Sequence, residues 1–333
     1  MMGGFNKTIL IILIITAFIG CKKEAPPTLP FFHIKNVYAG GIICYCTISS
    51  NGGDDVIERG FMWKTEKDAD YKNEKIAFDN TNNYFETTIF GLLPNTTYYV
   101  KAYATNSEGT GYSSEKQITT SMVGTLTDSR DGNTYKWVEI GNQIWMAENL
   151  AYLPYISPFT NDTGIFVYNY KGSYVDEAKS KDEFKTYGCL YTWEISLKVC
   201  PDGWHLPSEG EWQELERFIG MTSLQISQFL EYDNTFASIR IKSTDWTNLN
   251  GTPQPNNVTL FSAMPAGYHY HEYSNYGLYY DTYFNGLGVG TNFWSSTKNL
   301  SDDFVYEMRL DYNGISNYVT SNDHGYSVRC VKD

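Results

Sequence analysis

An all-β sandwich followed by an α+β domain is the fold class this sequence predicts, and three observations predict it. Between residues 31 and 122, short runs of period-two alternation are separated by Gly, Asn and Asp turns, with no helical period among them. From Tyr187 to Trp212 the chain reads YGCLYTWEISLKVCPDGWHLPSEGEW, dense in Trp, Cys and Pro and closing on a helix-start signal. Near the end, Phe304, Tyr306, Met308, Leu310 and Tyr312 alternate with Val305, Glu307, Arg309 and Asp311, and Asn313-Gly314 then turns the chain.

A chain of 333 residues accommodates two domains, and 42% hydrophobic residues are ample for two cores. The 28 Tyr and 28 Gly fit a β-rich exported protein with polar loops better than a cytosolic enzyme. Lys7 is the only charge in the first 20 residues, so losing them takes the formal charge from −13 to −14. Such a chain repels phosphate backbones, and without a basic patch nucleic acid is excluded as a partner.

Residues 1–20 read as a signal peptide, because the apolar run Ile9 to Ile19 is too short for a bilayer core that needs about 20 residues. Phe18-Ile19-Gly20-Cys21 resembles the lipobox of bacterial lipoproteins, which implies lipid attachment at Cys21. Acyl chains at ~0.8 kcal/mol per buried methylene make such an anchor permanent. Residues 21–30, with KKEAPPTLP, are expected to be an extended tether uncoupled from any core. Outer-membrane lipoproteins of the Bacteroidetes type carry acidic residues after this cysteine as a surface-export signal. Glu24 is the one acid here, so the membrane face is left open.

For residues 31–122 the strands expected are Ile42 to Ser49, Val56 to Trp63, Tyr84 to Phe90, Thr97 to Ala104 and Glu115 to Thr119. Leu92-x-Pro94-x-Thr96-x-Tyr98-x-Val100 resembles a strand signature of fibronectin type III domains, in which Tyr98 would bond back to upstream backbone. The resemblance implies a spacer domain. Cys44 and Cys46 lie two apart, hence on one strand face, and are expected as small buried hydrophobes rather than a disulfide or metal pair.

Residues 123–333 form the second domain. Tyr135 and Trp137 alternate with Val138 and Ile140, Gly141-Asn142 supplies a tight turn, and Ile144-Trp145-Met146 returns. A polar loop is expected from Asn161 to Lys185. In Ser208-Glu209-Gly210-Glu211 hydroxyl and carboxylate can cap each other's backbone N–H, and Trp212, Leu215, Phe218 and Ile219 follow at helical spacing up to Gly220. Tyr326 to Cys330 is expected as the closing strand, paired with the first hairpin.

TDSRDGNTYKWVEIGNQIWMAENL, YGCLYTW, CPDGWHLPSEGEW, FSAMPAGY, FWSST and YSVRCVKD, in this order, resemble the Fibrobacter succinogenes major paralogous domain. GWHLPSEGEW with the terminal SVRC also looks like the formylglycine-generating enzymes, which share a C-type lectin-like fold. The resemblance implies a C-type lectin-like α+β domain with few helices and much irregular loop.

Export permits oxidation, so Cys200 and Cys330 are the best disulfide candidates, with two free buried thiols as the alternative. Cys189 stands where the family resemblance implies Arg and is expected to be buried and idle. Oxidase chemistry would require a second cysteine beside Cys330 to hold copper, and only Cys189 could supply it. Gln254-Pro255-Asn256 resembles the calcium- and sugar-binding tripeptide of C-type lectins, but Trp294 is followed by Ser295-Ser296 instead of Asn-Asp, so a polar turn is expected. His269 and His271, before Glu272, share a strand face and are read as surface histidines with no metal. Seven tyrosines between Tyr268 and Phe284 offer flat apolar faces with hydroxyls, either as core packing or as a contact surface through Tyr270, Tyr273, Tyr276, Tyr279 and Tyr280.

The function expected is therefore non-catalytic recognition of a glycan or a protein by a lipid-anchored envelope protein without a cofactor. An enzyme acting on cell-wall polysaccharide and a purely structural surface component are the alternatives.

Overall fold

The computed structural model describes residues 24–65, 70–76, 82–227, 235–246, 253–273, 280–299 and 304–333. The leader and Cys21 lie outside the described residues, and no described helix is long and apolar enough to cross a membrane.

The alternating runs become eight strands: β1 (Phe31–Val37), β2 (Gly41–Thr47), β3 (Glu58–Lys64), β4 (Lys72–Ile76), β5 (Tyr84–Phe90), β6 (Thr97–Asn106), β7 (Gly109–Tyr112) and β8 (Lys116–Thr119). They make an all-β sandwich of one sheet ordered β1-β2-β5 and another ordered β4-β3-β6-β7, with β8 also on β6. Inward residues of β2 (Ile42, Cys44, Cys46) meet Phe61 of β3 and Val100, Ala102 and Ala104 of β6 in one core. Both thiols are free and buried, as expected. The Tyr98 hydroxyl accepts the Leu93 N–H at 2.9 Å, the backbone pin the motif implied.

The segment expected to be a free tether is not free from Glu24 onward. Thr28 bridges Ser50, the Asn106 side chain donates to the Ala25 carbonyl at 2.7 Å, and Leu29 is buried in the sandwich core. Proline leaves few backbone donors, but the N–H and carbonyl groups of Ala25 and Thr28, with the buried Leu29, dock the segment as an added edge.

In the second domain, β9 (Val123–Thr127), β10 (Thr134–Ile140) and β11 (Gln143–Met146) open the chain. The hairpin turns at Gly141, φ 64°, with Ile140 opposite Gln143, as its sequence predicts. The stretch expected as a polar loop instead folds locally into β12 (Ile165–Phe166), α1 (Val175–Ser180) and α2 (Asp182–Tyr187). Acidic residues in each first turn favour the two short helices, and Lys181, extended at ψ 146°, separates them. β13 (Leu190–Tyr191), α3 (Trp193–Ser196) and β14 (Trp204–His205) follow, then α4 (Glu209–Phe218) with the reciprocal Ser208–Glu211 capping box. Next come α5 (Ser223–Ser227), α6 (Thr235–Ser238), β15 (Ala266–Tyr273), β16 (Tyr280–Leu287), β17 (Gly290–Lys298), β18 (Phe304–Asp311), β19 (Gly314–Ser321) and β20 (Val331–Lys332).

Two sheets organise this domain, ordered β14-β20-β11-β10-β9 and β16-β15-β17-β18-β19. The last strand does pair the first hairpin, at Trp145 opposite Val331, but it sits at Val331–Lys332 rather than at Tyr326 to Cys330. Tyr326 and Ser327 make only isolated bridges, because the backbone of this segment divides its hydrogen bonds among Tyr191, Asn292 and Trp294, Leu150 and Met146 instead of following one partner strand. Trp212, Leu215 and Ile219 of α4 pack with Trp145 of the hairpin and Phe293, Met308 and Leu310 of the second sheet. Each face of β18 is covered in part: Met308 and Leu310 enter this core and Val305 enters a second one with Trp294 and Tyr326, while Phe304, expected with the apolar set, and Arg309 are exposed. Buried indole N–H groups find acceptors: Trp212 on the Trp294 carbonyl, Trp294 on that of Tyr191, Trp193 on that of Ser295.

The two domains meet through both apolar and polar contacts: Ala39 joins the core around Trp145 and Trp212, and Tyr38 and Ile43 pack on Val258. Asn36 Nδ2 and the Tyr38 hydroxyl both donate to the Phe218 carbonyl, an orphan acceptor at the end of α4.

Candidate recognition cleft

A cleft of about 650 Å³ opens beside the first hairpin. One wall is β10 with the preceding Asn133, another the end of α2 at Phe184 to Thr186, and the floor is Ala147, Glu148 and Asn149 just past β11. Ser243 to Asp245 and the loop residues Asn257 and Ser262 complete it. Gly188, φ 74°, lets α2 close against the floor, since a Cβ there would lie 2.7 Å from the Leu150 carbonyl oxygen.

Asn149 is the hub of the floor. Its Oδ1 accepts from Arg329 Nε at 2.7 Å, and its Nδ2 donates to the Tyr187 carbonyl and to Ser327 Oγ. Arg329 is fully buried and donates further to the carbonyls of Met146, Phe261 and Ser262, with its guanidinium over the Phe261 ring. All four acceptors are neutral. Burial pulls its pKa down to about 9, which leaves a cation at neutral pH, and Glu148 on the cleft wall opposes that fall. Above it, Glu148 also accepts the Lys136 backbone N–H at 2.8 Å and pairs with Lys136 Nζ at 3.7 Å.

The loop bearing Asn257 and Ser262 is conformationally costly. Asn257, Leu260 and Ser262 all have positive φ, at 45°, 61° and 55°. Non-glycine residues pay roughly 1–2 kcal/mol each for this conformation, least for Asn and most for Leu. Side-chain bonds hold it: Asn257 Nδ2 donates to Ser262 Oγ and Asn257 Oδ1 accepts the Ser262 N–H.

The residues singled out by sequence fall elsewhere. Cys200 and Cys330 form the disulfide, with Cα atoms 5.9 Å apart, tying the segment that carries Arg329 to the Trp-rich stretch. Cys189 is buried with its thiol pushed up to about 12 by burial, countered in part by a hydrogen bond with Tyr191. Tyr270 is half-buried, its ring stacked 4.2 Å from His324 and 5.4 Å from Tyr283. Tyr273 and Tyr280 pair across the β15–β16 ladder, and Tyr276 and Tyr279 lie outside the described residues. Of the five, Tyr270 has a described side chain, and it does not line the cleft. Asn256 makes a polar turn, its Oδ1 accepting the Val258 N–H. His269, expected at the surface, is fully buried, stacked 4.0 Å from Phe166 and hydrogen-bonded to the Phe159 carbonyl through Nε2. Phe166, in the segment expected as a loop, covers it together with Phe159 just before that segment and Phe284 of β16. The neighbouring His271 side chain lies outside the described set.

Two buried acids lie off the cleft. Burial raises Glu216 to about 8, with Asn317 Nδ2 donating to its carboxyl, and raises Glu307 to about 7, with Asn292 donating. Among the described residues no group of three or more His, Cys, Asp or Glu is placed to hold a metal ion.

Sequence reasoning missed Asn149 and Arg329, although both sit inside recognisable motifs, MAENL and SVRC. A polar residue embedded in an otherwise core-bound run was the available signal.

No curated protein is similar to this chain. Among solved structures, the sandwich is similar to the sixth fibronectin type III domain of human fibronectin type III domain containing protein 3, at 22% identity over 29% of this chain and 87% of that one, TM-score 0.24. A fibronectin type III domain of human collagen XX matches at 12% over 29% and 94%, TM-score 0.23. A titin fragment matches at 16% over 29% of this chain, which spans only 32% of the fragment's length, TM-score 0.23. Scores this low carry no argument, and the sandwich rests on its own strand pairing. The model of the Fibrobacter succinogenes major domain family matches residues 138–332, which include the turn end of the hairpin, the helix with its capping box, the disulfide and the cleft apart from its β10 wall. By that match over more than half its length, the chain belongs to the Fibrobacter succinogenes major domain family.

Proposed function

We propose that this protein is a lipid-anchored envelope protein, held at the outer membrane through Cys21, whose C-type lectin-like second domain recognises a glycan without catalysis. The single observation that carries the reading is the cleft, whose lining sets the polar residues Asn133, Thr134, Thr186, Thr244, Asn257 and Ser262 and the charged Lys136, Glu148, Lys185 and Asp245 beside Tyr135 and Phe184. Sugars present dense hydroxyls on one edge and apolar C–H patches on their faces, and neutral hydrogen-bonding groups with aromatic rings suit both. Tyr270 and the β15–β16 hairpin offer a second contact surface for a long ligand or a protein partner.

Glycan-array binding of the full chain is the test. Thr186→Trp fills the cleft from an exposed position and is expected to lower affinity about tenfold or more, the loss of several hydrogen bonds at once. A silent array, or a hit unaffected by Thr186→Trp, overturns the assignment. Release of reducing ends from a polysaccharide panel would replace it with an enzymatic one.

A further inference from the structure

The sandwich domain touches the costly loop directly. Gly40 N–H donates to the Val258 carbonyl at 2.8 Å, and Val258 is buried against Tyr38 and Ile43 of the sandwich. Gly40 permits this approach, since a Cβ there would stand 2.9 Å from the Val258 carbonyl oxygen; one on Gly41 would meet the Ile89 carbonyl oxygen inside the sandwich even before the Val258 side chain. Ile43 points away from the sandwich core, so the outer face of β2 has been given over to this contact. Within the second domain the same loop is gripped by Arg329 at its Phe261 and Ser262 carbonyls and by the Arg240 carbonyl at Thr259. Three left-handed non-glycine residues within six positions persist only if their surroundings over-determine them.

We infer that the sandwich is a positioning part of the recognition site: through Gly40 and Val258 it holds the loop 257–262 in its strained shape and so sets the cleft wall formed by Asn257 and Ser262. The inference rests on the cleft being the binding site, but its mechanical half stands on the loop alone. A spacer would leave the two domains independent. Here the first domain braces a loop that walls the site of the second.

The test uses the full chain and amide hydrogen exchange. In Val258→Ala, and separately in Gly40→Ala, the Ser262 and Ala263 amides, bonded in the native loop to Asn257 Oδ1 and the Ile241 carbonyl, are expected to exchange about tenfold faster or more, with the β17–β18 amides unchanged. Adding Leu260→Gly to Val258→Ala removes the left-handed penalty and restores protection, whereas a merely packing role would make the double variant worse. Binding of cellohexaose, xylohexaose, chitohexaose and a hexagalacturonate is measured alongside. Unchanged exchange in both single variants overturns the inference, as does a double variant less protected than Val258→Ala. Faster exchange with unaltered affinity for a hexasaccharide that the wild type binds also overturns it. If no hexasaccharide binds the wild type while the exchange pattern appears, the positioning role is supported and the glycan reading is the one that falls.

Discussion

The Arg329 guanidinium joins the floor of the cleft, the end of β11 and the strained loop. Arg329→Met leaves three carbonyls and Asn149 without donors, and we expect a loss of roughly 3–5 kcal/mol in chemical denaturation, as for a buried group whose partners are stranded. Arg329→Lys is expected to recover little, since an ammonium cannot span the fork. Glu216 acts in the opposite sense. With its folded pKa raised to about 8, it holds its proton in the folded chain while the unfolded chain releases it, so its contribution is fully present below the ordinary carboxylate range. Stability is lost as pH rises from there through about 8. Glu216→Gln keeps an acceptor for Asn317, and is expected to flatten that decline and stabilise the protein by roughly 1–3 kcal/mol at alkaline pH, measured as denaturation midpoints across pH.

At the scale of elements, α4 shows how local signals recruit distant ones. Ser208 caps the Glu211 N–H, and the Glu211 carboxylate returns to the Ser208 N–H and also binds His205 Nε2 at 2.8 Å. Ser208→Ala is expected to cost about 0.5–2 kcal/mol, seen as a lower midpoint with an unchanged denaturant slope. Burial disfavours the His205 cation, but hydrogen bonds to Asp333 and Glu211 outweigh it and raise its pKa. Its stabilisation is therefore fully present below the ordinary histidine range and is lost as pH rises through the raised value. An imidazole titration by NMR that lies below the ordinary value would contradict this. The capping box and the Gly141 hairpin were legible in sequence because each depends on residues within a few positions. The docking of Glu24 to Pro30 and the covering of His269 were not, because the groups that satisfy them come from far along the chain.

Across the whole molecule, the disulfide spans 130 residues and couples the Trp-rich stretch to the closing segment. Closing so long a loop removes denatured-state entropy, and Cys200→Ser with Cys330→Ser is expected to cost roughly 3–5 kcal/mol by comparison of denaturation curves. The order of two domains, an all-β sandwich first, the capped helix and the alternating strands were legible in the sequence itself, which named Cys200 and Cys330 as the best pair but left two free thiols open until the structure joined them. Periodicity, caps and turns are encoded by side chains that act on their own backbone. Tertiary structure alone decided where the cleft lies, that Asn149 and Arg329 build its floor, and that the sandwich reaches the loop at Val258. Those features arise from at least five separated segments, and a hydrogen bond or a close glycine contact between them leaves no period in the chain that makes it.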